Sequence, residues 1–245
     1  MDFQTANVAA QGALLSYKDR SGKQDFLDLG FVTHKFINKN GAQAHLVKNS
    51  KDAFIFCRGT EATELNDLLA DLNLFPKTHG EGFVHSGFRS EARKILNDVK
   101  LFVERNKHLN LTIAGHSLGG AMATYLAQEL HHAGYTVSLY TFGSPRVGDN
   151  DFCNCMVDIP HWRFVNNNDI VTRVPPIALG FKHSGTIKYI SYSGSVKRLS
   201  WGQRIVDQLR GRFRALCKFQ LFDGAFDHSM ELYSKKIKKY VDNQK

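Results

Sequence analysis

The sequence predicts an α/β protein with a mainly parallel central sheet that is flanked by helices. Short apolar segments typical of buried strands occur at residues 111–114, 137–142 and 162–165, and a helix is predicted over 118–133 between the first two. Strands that are joined through helices run parallel, and functional sites in such sheets lie at the carboxyl ends of the strands. We therefore searched the loops that follow these strands.

The first part of the chain has a different pattern. An Ala- and Leu-rich helix is predicted over 5–17, followed by strands at 31–37, 42–47 and 53–57 with short turns between them. These three strands indicate an antiparallel meander at one side of the sheet. The whole chain has 245 residues, a length that one α/β domain commonly has, so a single domain over 1–245 is predicted.

The net charge of +9 is concentrated near the end of the chain. Residues 181–245 contain 14 Lys and Arg against 5 Asp and Glu, whereas residues 1–180 are balanced. This asymmetry predicts a surface that faces an anionic partner. No apolar run approaches the roughly 20 residues of a membrane-spanning helix, and the first residues lack the pattern of a secretory signal. These features predict a cytoplasmic protein, or one exported by a route without a cleavable signal peptide.

Neither a metal site nor a cofactor is predicted. The four cysteines are too few and too scattered for a disulfide framework, so they are expected to be reduced thiols. No group of histidines, cysteines or carboxylates has the spacing of metal ligands.

Gly115-His116-Ser117-Leu118-Gly119 is a G-x-S-x-G motif directly between a predicted strand and a predicted helix. A serine on such a tight turn is exposed to substrate, and the flanking glycines let strand and helix approach closely. The helix N-terminus beneath it offers free N–H groups. Ser117 is therefore predicted to be a catalytic nucleophile, in preference to Ser86 and Ser144, which lack the flanking glycines.

A serine nucleophile needs a base and an acid, which follow it in the order acid and then histidine. Asp169 ends the loop after the strand at 162–165 and is the predicted acid. Asp149 and Asp158 are the alternatives, but both lie in or beside a predicted surface helix, where a cap or a solvated carboxylate is expected.

Two histidines follow Asp169 in the chain. His228 precedes a predicted terminal helix, and His183 lies on the approach to a strand, where a structural histidine is expected. His228 is the predicted general base, which takes the serine proton while the acid orients its imidazole.

Beyond these residues, the chain resembles the class 3 lipases, and more closely the bacterial branch of that family. The matching motifs, in chain order, are FCRGT (56–60), VHSGF (84–88), AGHSLGG (114–120), YTFGSPRVGD (140–149), NDIV (168–171) followed by VPP (174–176), and DH (227–228). The resemblance implies the α/β-hydrolase fold and the hydrolysis of lipid esters through an acylated Ser117, as in a lipase, phospholipase A or esterase.

The resemblance also implies an oxyanion hole and a lid. The backbone N–H groups of Thr60 and Leu118 occupy the positions that form the hole in the family. A short lid helix is expected over 61–71, with Leu65, Leu68 and Leu69 on one side. The alternative is an ordinary surface helix that packs these leucines on the core.

The chain departs from the fungal members in a basic segment over 194–220. Apolar residues there, including Trp201, recur at helical spacing among basic residues that include Arg204, Arg210, Arg212 and Arg214. A basic amphipathic helix is typical of an anionic membrane surface, and the alternative is a solvated helix docked on its own domain.

The rival hypothesis is a basic protein that binds lipid surfaces or nucleic acid on a hydrolase scaffold. The charge permits it, but no nucleic-acid motif is found, and all three predicted catalytic positions are intact. The sequence favours the hydrolase, acting on a lipid ester substrate.

Overall fold

The computed structural model describes residues 2–59, 76–79, 82–197, 202–209 and 227–244. An eight-stranded sheet has the order β1-β2-β3-β6-β7-β8-β9-β10, and β4 and β5 form a separate hairpin. The strands are β1 (Thr33–Lys39), β2 (Ala42–Lys48), β3 (Asp52–Cys57), β4 (Pro76–His79), β5 (Gly82–His85), β6 (Asn110–His116), β7 (Val137–Phe142), β8 (His161–Asn166), β9 (Thr186–Ile190) and β10 (Val196–Lys197).

Helices cover both faces of this sheet. They are α1 (Phe3–Leu15), α2 (Lys23–Asp28), α3 (Ser86–Arg105), α4 (Leu118–His132), α5 (Asn150–Asn154) and α6 (Met230–Asp242), and residues 202–209 are also helical. Among the residues that the structure describes, no helix combines the length and the apolar character that crossing a membrane requires.

Strand direction follows from the connections. β1, β2 and β3 pair antiparallel, and the first turn places Asn40 and Gly41 at φ 50° and 87°, the backbone of a type I′ hairpin turn. From β3 through β6, β7 and β8 to β9 every pair is parallel, because helices or long loops return the chain to the opposite edge. The predicted α/β-hydrolase fold, with its mainly parallel sheet, is confirmed.

The two faces of the sheet bury separate apolar clusters. α3 and α4 cover one face, where Ile55, Ile113 and Leu139 are buried, and α1 and α6 cover the other, where Phe56 and Phe142 are buried. Adjacent apolar residues of one strand, such as Ile55 and Phe56 of β3, thus belong to different clusters, as expected for a strand that is buried on both faces. The central strands are thereby fixed in position, together with the loops at their carboxyl ends.

The elements that were not predicted from the sequence include α2, the β4–β5 hairpin and β10. The segment at 194–220 is not a single helix, because β10 first pairs with β9 and the helical part begins at 202. A free sheet edge favours strand pairing here over helical periodicity. The predicted lid at 61–71 lies outside the described residues, as do residues 210–220.

Several histidines are buried in the folded protein as neutral groups. Burial lowers the pKa of His45 and of His85 to about 4, and that of His161 to about 3. An unfolded histidine titrates near about 6.5, so below that pH the unfolded chain binds protons that the folded chain does not. This part of the stability is complete above pH ~6.5 and is lost as the pH falls toward the folded-state values.

We expect His161→Gln to make the unfolding free energy less sensitive to acid. Between about pH 6 and 4.5, the unfolding free energy of the wild type should fall by up to about 1.4 kcal/mol per pH unit more than that of the variant. The reason is that the unfolded variant has one histidine fewer to take up a proton. Urea unfolding of both proteins at several pH values measures this difference. A difference that stays constant with pH would contradict it.

Candidate active site

Ser117 lies on the sharp turn between β6 and α4, at the carboxyl edge of the sheet. Its backbone has φ 56° and ψ −128°, a conformation rare for a residue with a side chain. A Cβ at Gly115 would overlap the backbone of Gly119, and a Cβ at Gly119 would overlap the backbone of Cys57. The two glycines of the motif are therefore required by the close contact of β6, α4 and the end of β3.

The predicted acid follows the parallel strand β8, and the predicted base lies near the end of the chain. Asp169 follows β8, and His228 immediately precedes the N-terminal part of α6. The Nδ1 atom of His228 lies 2.9 Å and 3.0 Å from the two carboxylate oxygens of Asp169. Both side chains are almost completely buried, so the structure brings together two residues that are 59 positions apart.

The Asp169 carboxylate has two further donors. The Tyr233 hydroxyl donates to Oδ2 at 2.6 Å, and the backbone N–H of Val171 donates to Oδ1 at 3.0 Å. The same hydroxyl accepts from the backbone N–H of Asn166. Burial and the Asp169 charge raise the pKa of Tyr233 well above its usual range, so the phenol keeps its proton. The carboxylate is thus held in one orientation toward the imidazole.

Two buried polar atoms at the site have no hydrogen-bond partner within the described part of the chain. They are the Oγ of Ser117 and the Nε2 of His228, the atoms between which a triad passes its proton. Buried polar atoms are rarely left unpaired in native proteins, except where a ligand or a reaction uses them. The backbone N–H of Ser117 also donates to the carbonyl of Phe142, which adjoins Gly143 beneath the imidazole.

The side chain of His116, the residue before the nucleophile, hydrogen-bonds the backbone of His228. Its Nε2 lies 2.7 Å from the carbonyl oxygen of His228, and the two rings are 4.4 Å apart. A carbonyl only accepts, so Nε2 carries a proton. Burial and the neighbouring His228 keep the pKa of His116 well below its usual range, which makes the ring neutral. Its Nδ1 must then accept, and the Tyr17 hydroxyl donates to it at 2.7 Å.

Asp227 fixes the loop that carries the base on the end of β8. Its carboxylate accepts from the side-chain amide of Asn166 at 3.2 Å and from the backbone N–H of Asn168 at 3.0 Å. The same amide donates to the carbonyl of Asp227 at 2.8 Å. Two residues just before the acid, Asn166 and Asn168, therefore also hold the residue before the base.

Only part of the predicted oxyanion hole is described. Leu118 is the first residue of α4, where backbone N–H groups have no acceptor within the helix. Thr60 lies outside the described residues, but its neighbour Gly59 packs so closely on the elbow that a Cβ there would overlap the carbonyl of His116. The end of β3 therefore reaches the turn that carries Ser117.

The competing residues have structural contacts. Asp149 caps α5 by accepting from the backbone N–H of Phe152 at 2.9 Å, and Asp158 is exposed. A ring nitrogen of His183 bonds the carbonyl of Thr172 at 2.8 Å, away from the triad. In the described ranges, no three His, Cys, Asp or Glu side chains are grouped as metal ligands would be.

Of the predicted lid and surface residues, few are described. Leu65, Leu68 and Leu69 lie outside the described residues, and so do Trp201, Arg210, Arg212 and Arg214. Arg204 is described and is half-buried on the helical segment 202–209.

Tyr17, His116, Asp227 and Tyr233 were not identified from the sequence as site residues. His116 stands inside the serine motif, but its partners Tyr17 and His228 are 99 and 112 positions away. Contacts over such separations leave no local pattern. The only local signal is the position of Asp227 next to the predicted base.

Known proteins with similar sequences include fungal lipases. The chain is 34% identical over 157 residues to a lipase of Rhizomucor miehei, a match that covers 58% of this chain and 43% of that protein. It is 38% identical over 107 residues to the secreted mono- and diacylglycerol lipase 1 of Fusarium solani, covering 41% of this chain and 32% of the relative. The chain thus matches less than half of the length of each relative.

Solved structures give the same result. The chain superposes with a TM-score of 0.65 and 26% identity on a triacylglycerol lipase whose catalytic centre is described as a serine protease triad. That match covers 77% of this chain and 78% of the other. The family model for lipase (class 3) matches residues 54–179, which include the strained elbow at Ser117 and the acid Asp169. This protein therefore belongs to the class 3 lipase family.

Proposed function

We propose that this protein hydrolyses carboxylic esters of lipids, with Ser117 as nucleophile, His228 as general base and Asp169 as the acid that orients it. The observation that carries the proposal is the buried Asp169–His228 hydrogen bond, which uses Nδ1 of the imidazole; among the described residues, Nε2 of His228 and the Oγ of Ser117 both have no hydrogen-bond partner. Similarity to lipases supports the same conclusion.

Each proton has a defined place in this mechanism. As the Oγ of Ser117 bonds the ester carbon, its proton passes to Nε2 of His228 and the carbonyl electrons move onto oxygen. The N–H of Leu118 donates to this oxyanion. Collapse expels the alcohol, which takes the proton from His228 and leaves an acyl-serine. Water then attacks the acyl carbon, gives a proton to His228 and releases the acid and the free serine.

The acidic partner stabilises the imidazolium that forms at each step. Asp169 receives hydrogen bonds from Tyr233 and Val171 as well as from His228. These bonds stabilise the carboxylate charge and keep the carboxylate in one position. A carboxylate fixed in this way keeps the Nδ1 atom protonated and directs the lone pair of Nε2 toward the serine.

A lipid surface is the proposed setting for the reaction. The helical segment 202–209 is bonded to the residues just before Asp169, since Gln208 accepts from Asn168 and donates to the carbonyl of Asn167, both at 3.2 Å. On that segment Val206 and Leu209 are 47% and 58% exposed. These apolar side chains and the excess positive charge after residue 180 fit an anionic lipid interface.

We expect Ser117→Ala to lower kcat by on the order of 10⁴–10⁶, and His228→Ala to lower it similarly. Because the two residues act in one proton transfer, the double variant should lose little more than either single variant. Turnover of a p-nitrophenyl ester and of an emulsified triacylglycerol measures this. Losses that multiply, or a larger loss in His183→Ala, would refute the assignment of the base.

We expect Tyr17→Phe to lower kcat by up to about 10²-fold with little change in KM. Without the hydroxyl, the buried Nδ1 of His116 has no donor, and the ring no longer holds the His228 carbonyl in place. In a His116→Gln background the same change should add little, because the shared interaction is already lost.

Tyr240→Phe serves as the matched control, since that ring packs on Phe3 at the far end of α6. If the Tyr17 and Tyr240 variants lose equal activity, Tyr17 has no specific role at the site.

We expect Val206→Gln with Leu209→Gln to raise the apparent KM on anionic vesicles several-fold and to leave the hydrolysis of a soluble ester nearly unchanged. The exposed apolar area that enters the lipid is removed, while the triad is untouched. Val157→Gln is the control. Val157 is 78% exposed, but it precedes β8 and so lies near the amino-terminal ends of the strands, away from the site at their carboxyl ends. Equal effects of both changes on vesicles would refute this docking surface.

A further inference from the structure

The helical segment 202–209 has a polar inner face as well as an apolar outer one. Asp207 is buried and Gln208 is half-buried, whereas Val206 and Leu209 are exposed. Residues three apart in a helix lie on the same face, so the two exposed apolar side chains share the outer face. The inner face carries groups that form hydrogen bonds to the rest of the protein.

Gln208 bonds both residues that directly precede the acid. Its Nε2 atom donates to the carbonyl oxygen of Asn167 at 3.2 Å, and its own backbone carbonyl accepts from the side-chain amide of Asn168 at 3.2 Å. Both asparagines are buried, so these polar groups have few alternative partners. One residue of the segment thereby holds two consecutive residues of the catalytic loop.

The backbone of Asn167 depends on contacts of this kind. Its φ is 34°, in the left-handed region that residues other than glycine adopt infrequently. Its N–H donates to the carbonyl of Ile190 at 2.9 Å, and its side chain contacts the Tyr189 hydroxyl at 3.2 Å. Such a conformation persists where the surroundings enforce it, and the bond from Gln208 to the carbonyl adds to that enforcement.

Asp207, the neighbour of Gln208, joins the same segment to β9. Its carboxylate accepts from the Tyr189 hydroxyl at 2.9 Å and from the backbone N–H of Tyr192 at 3.0 Å. The Tyr189 hydroxyl is the group that also contacts Asn167. The segment, β9 and the loop before the acid are therefore connected in one closed set of hydrogen bonds.

The position of Asn168 determines the positions of both the acid and the base. Its backbone N–H donates to the carboxylate of Asp227 at 3.0 Å, next to His228, and the residue after it in the chain is Asp169. Ser117 is carried separately, by the turn between β6 and α4. A displacement of Asn168 therefore moves the acid and the base relative to the nucleophile.

We propose that Gln208 is a positioning residue of the triad, which holds the acid and the base where proton transfer from Ser117 requires them. It acts through Asn167 and Asn168 and not on the reacting atoms. The kinetic consequence rests on the proposed ester hydrolysis, whereas the spectroscopic consequence rests on the hydrogen bonds alone. The outer face of the segment meets lipid, and its inner face fixes the catalytic loop.

The kinetic experiment compares Gln208→Met with the wild type on a water-soluble p-nitrophenyl ester. Methionine has a length and helix propensity similar to those of glutamine but has no N–H donor. The change should lower kcat about tenfold and alter KM less than about twofold, because the ester still binds while the proton transfer is misaligned. Gln208→Lys keeps an N–H donor at similar reach and should restore most of the kcat.

Gln24→Met is the matched control, because the exposed Gln24 amide bonds Asp28 at 2.9 Å within α2. Its kcat should equal that of the wild type. If Gln208→Met does not fold, Gln208→Glu takes its place, since glutamate has the same shape and no N–H donor. The proposal is overturned if the kcat of the position-208 variant stays within about twofold of the control, or if only KM changes.

The spectroscopic experiment needs no turnover. The Nδ1 proton of His228, bonded to Asp169, should give a proton NMR resonance far downfield, assigned by its loss in His228→Gln. Gln208→Met should shift and broaden this resonance, and Gln24→Met should leave it unchanged.

The two experiments separate this inference from the proposed function. A resonance that Gln208→Met leaves unchanged overturns the positioning role, even where the wild type hydrolyses the ester. A resonance that moves in Gln208→Met, in a chain that does not hydrolyse the ester, supports the positioning role and refutes the proposed function.

Discussion

The turn at Ser117 holds a residue with a side chain at φ 56°, and the rest of the site is arranged around it. Gly115, Gly119 and the end of β3 pack so closely there that no side chain fits between them. Such a backbone conformation is unfavourable by itself and persists only where the surrounding packing enforces it. The buried strands of the sheet supply that packing, because apolar clusters lie on both of their faces.

The base is positioned by a different kind of contact. His228 stands near the end of the chain, and its loop is held by the ring of His116 and by the Asp227 contacts with Asn166 and Asn168. Each of these partners lies on β6, on β8 or directly after them. Hydrogen bonds in a buried site leave their groups few alternatives, so the loop position follows from the position of the sheet.

On the described helical residues 202–209, the one arginine does not lie where an amphipathic surface helix would place it. The half-buried Arg204 and the exposed Val206 and Leu209 lie on one short helical segment, so its cation faces the protein and its apolar side chains face solvent. The sequence alone places arginines of a basic helix in water. Tertiary packing reverses this at Arg204, because the 202–209 segment is bonded to the loop before Asp169.

The sequence by itself determined the fold class, the strands from β6 to β8 and the family, because each of these depends on local periodicity or on a contiguous motif. It also predicted Ser117, Asp169 and His228 as partners, through motif context and chain order. The tertiary structure alone decided that Tyr17, His116 and Tyr233 surround them. Those contacts join residues far apart in the chain, and only the packing of the sheet and its helices brings them within hydrogen-bond distance.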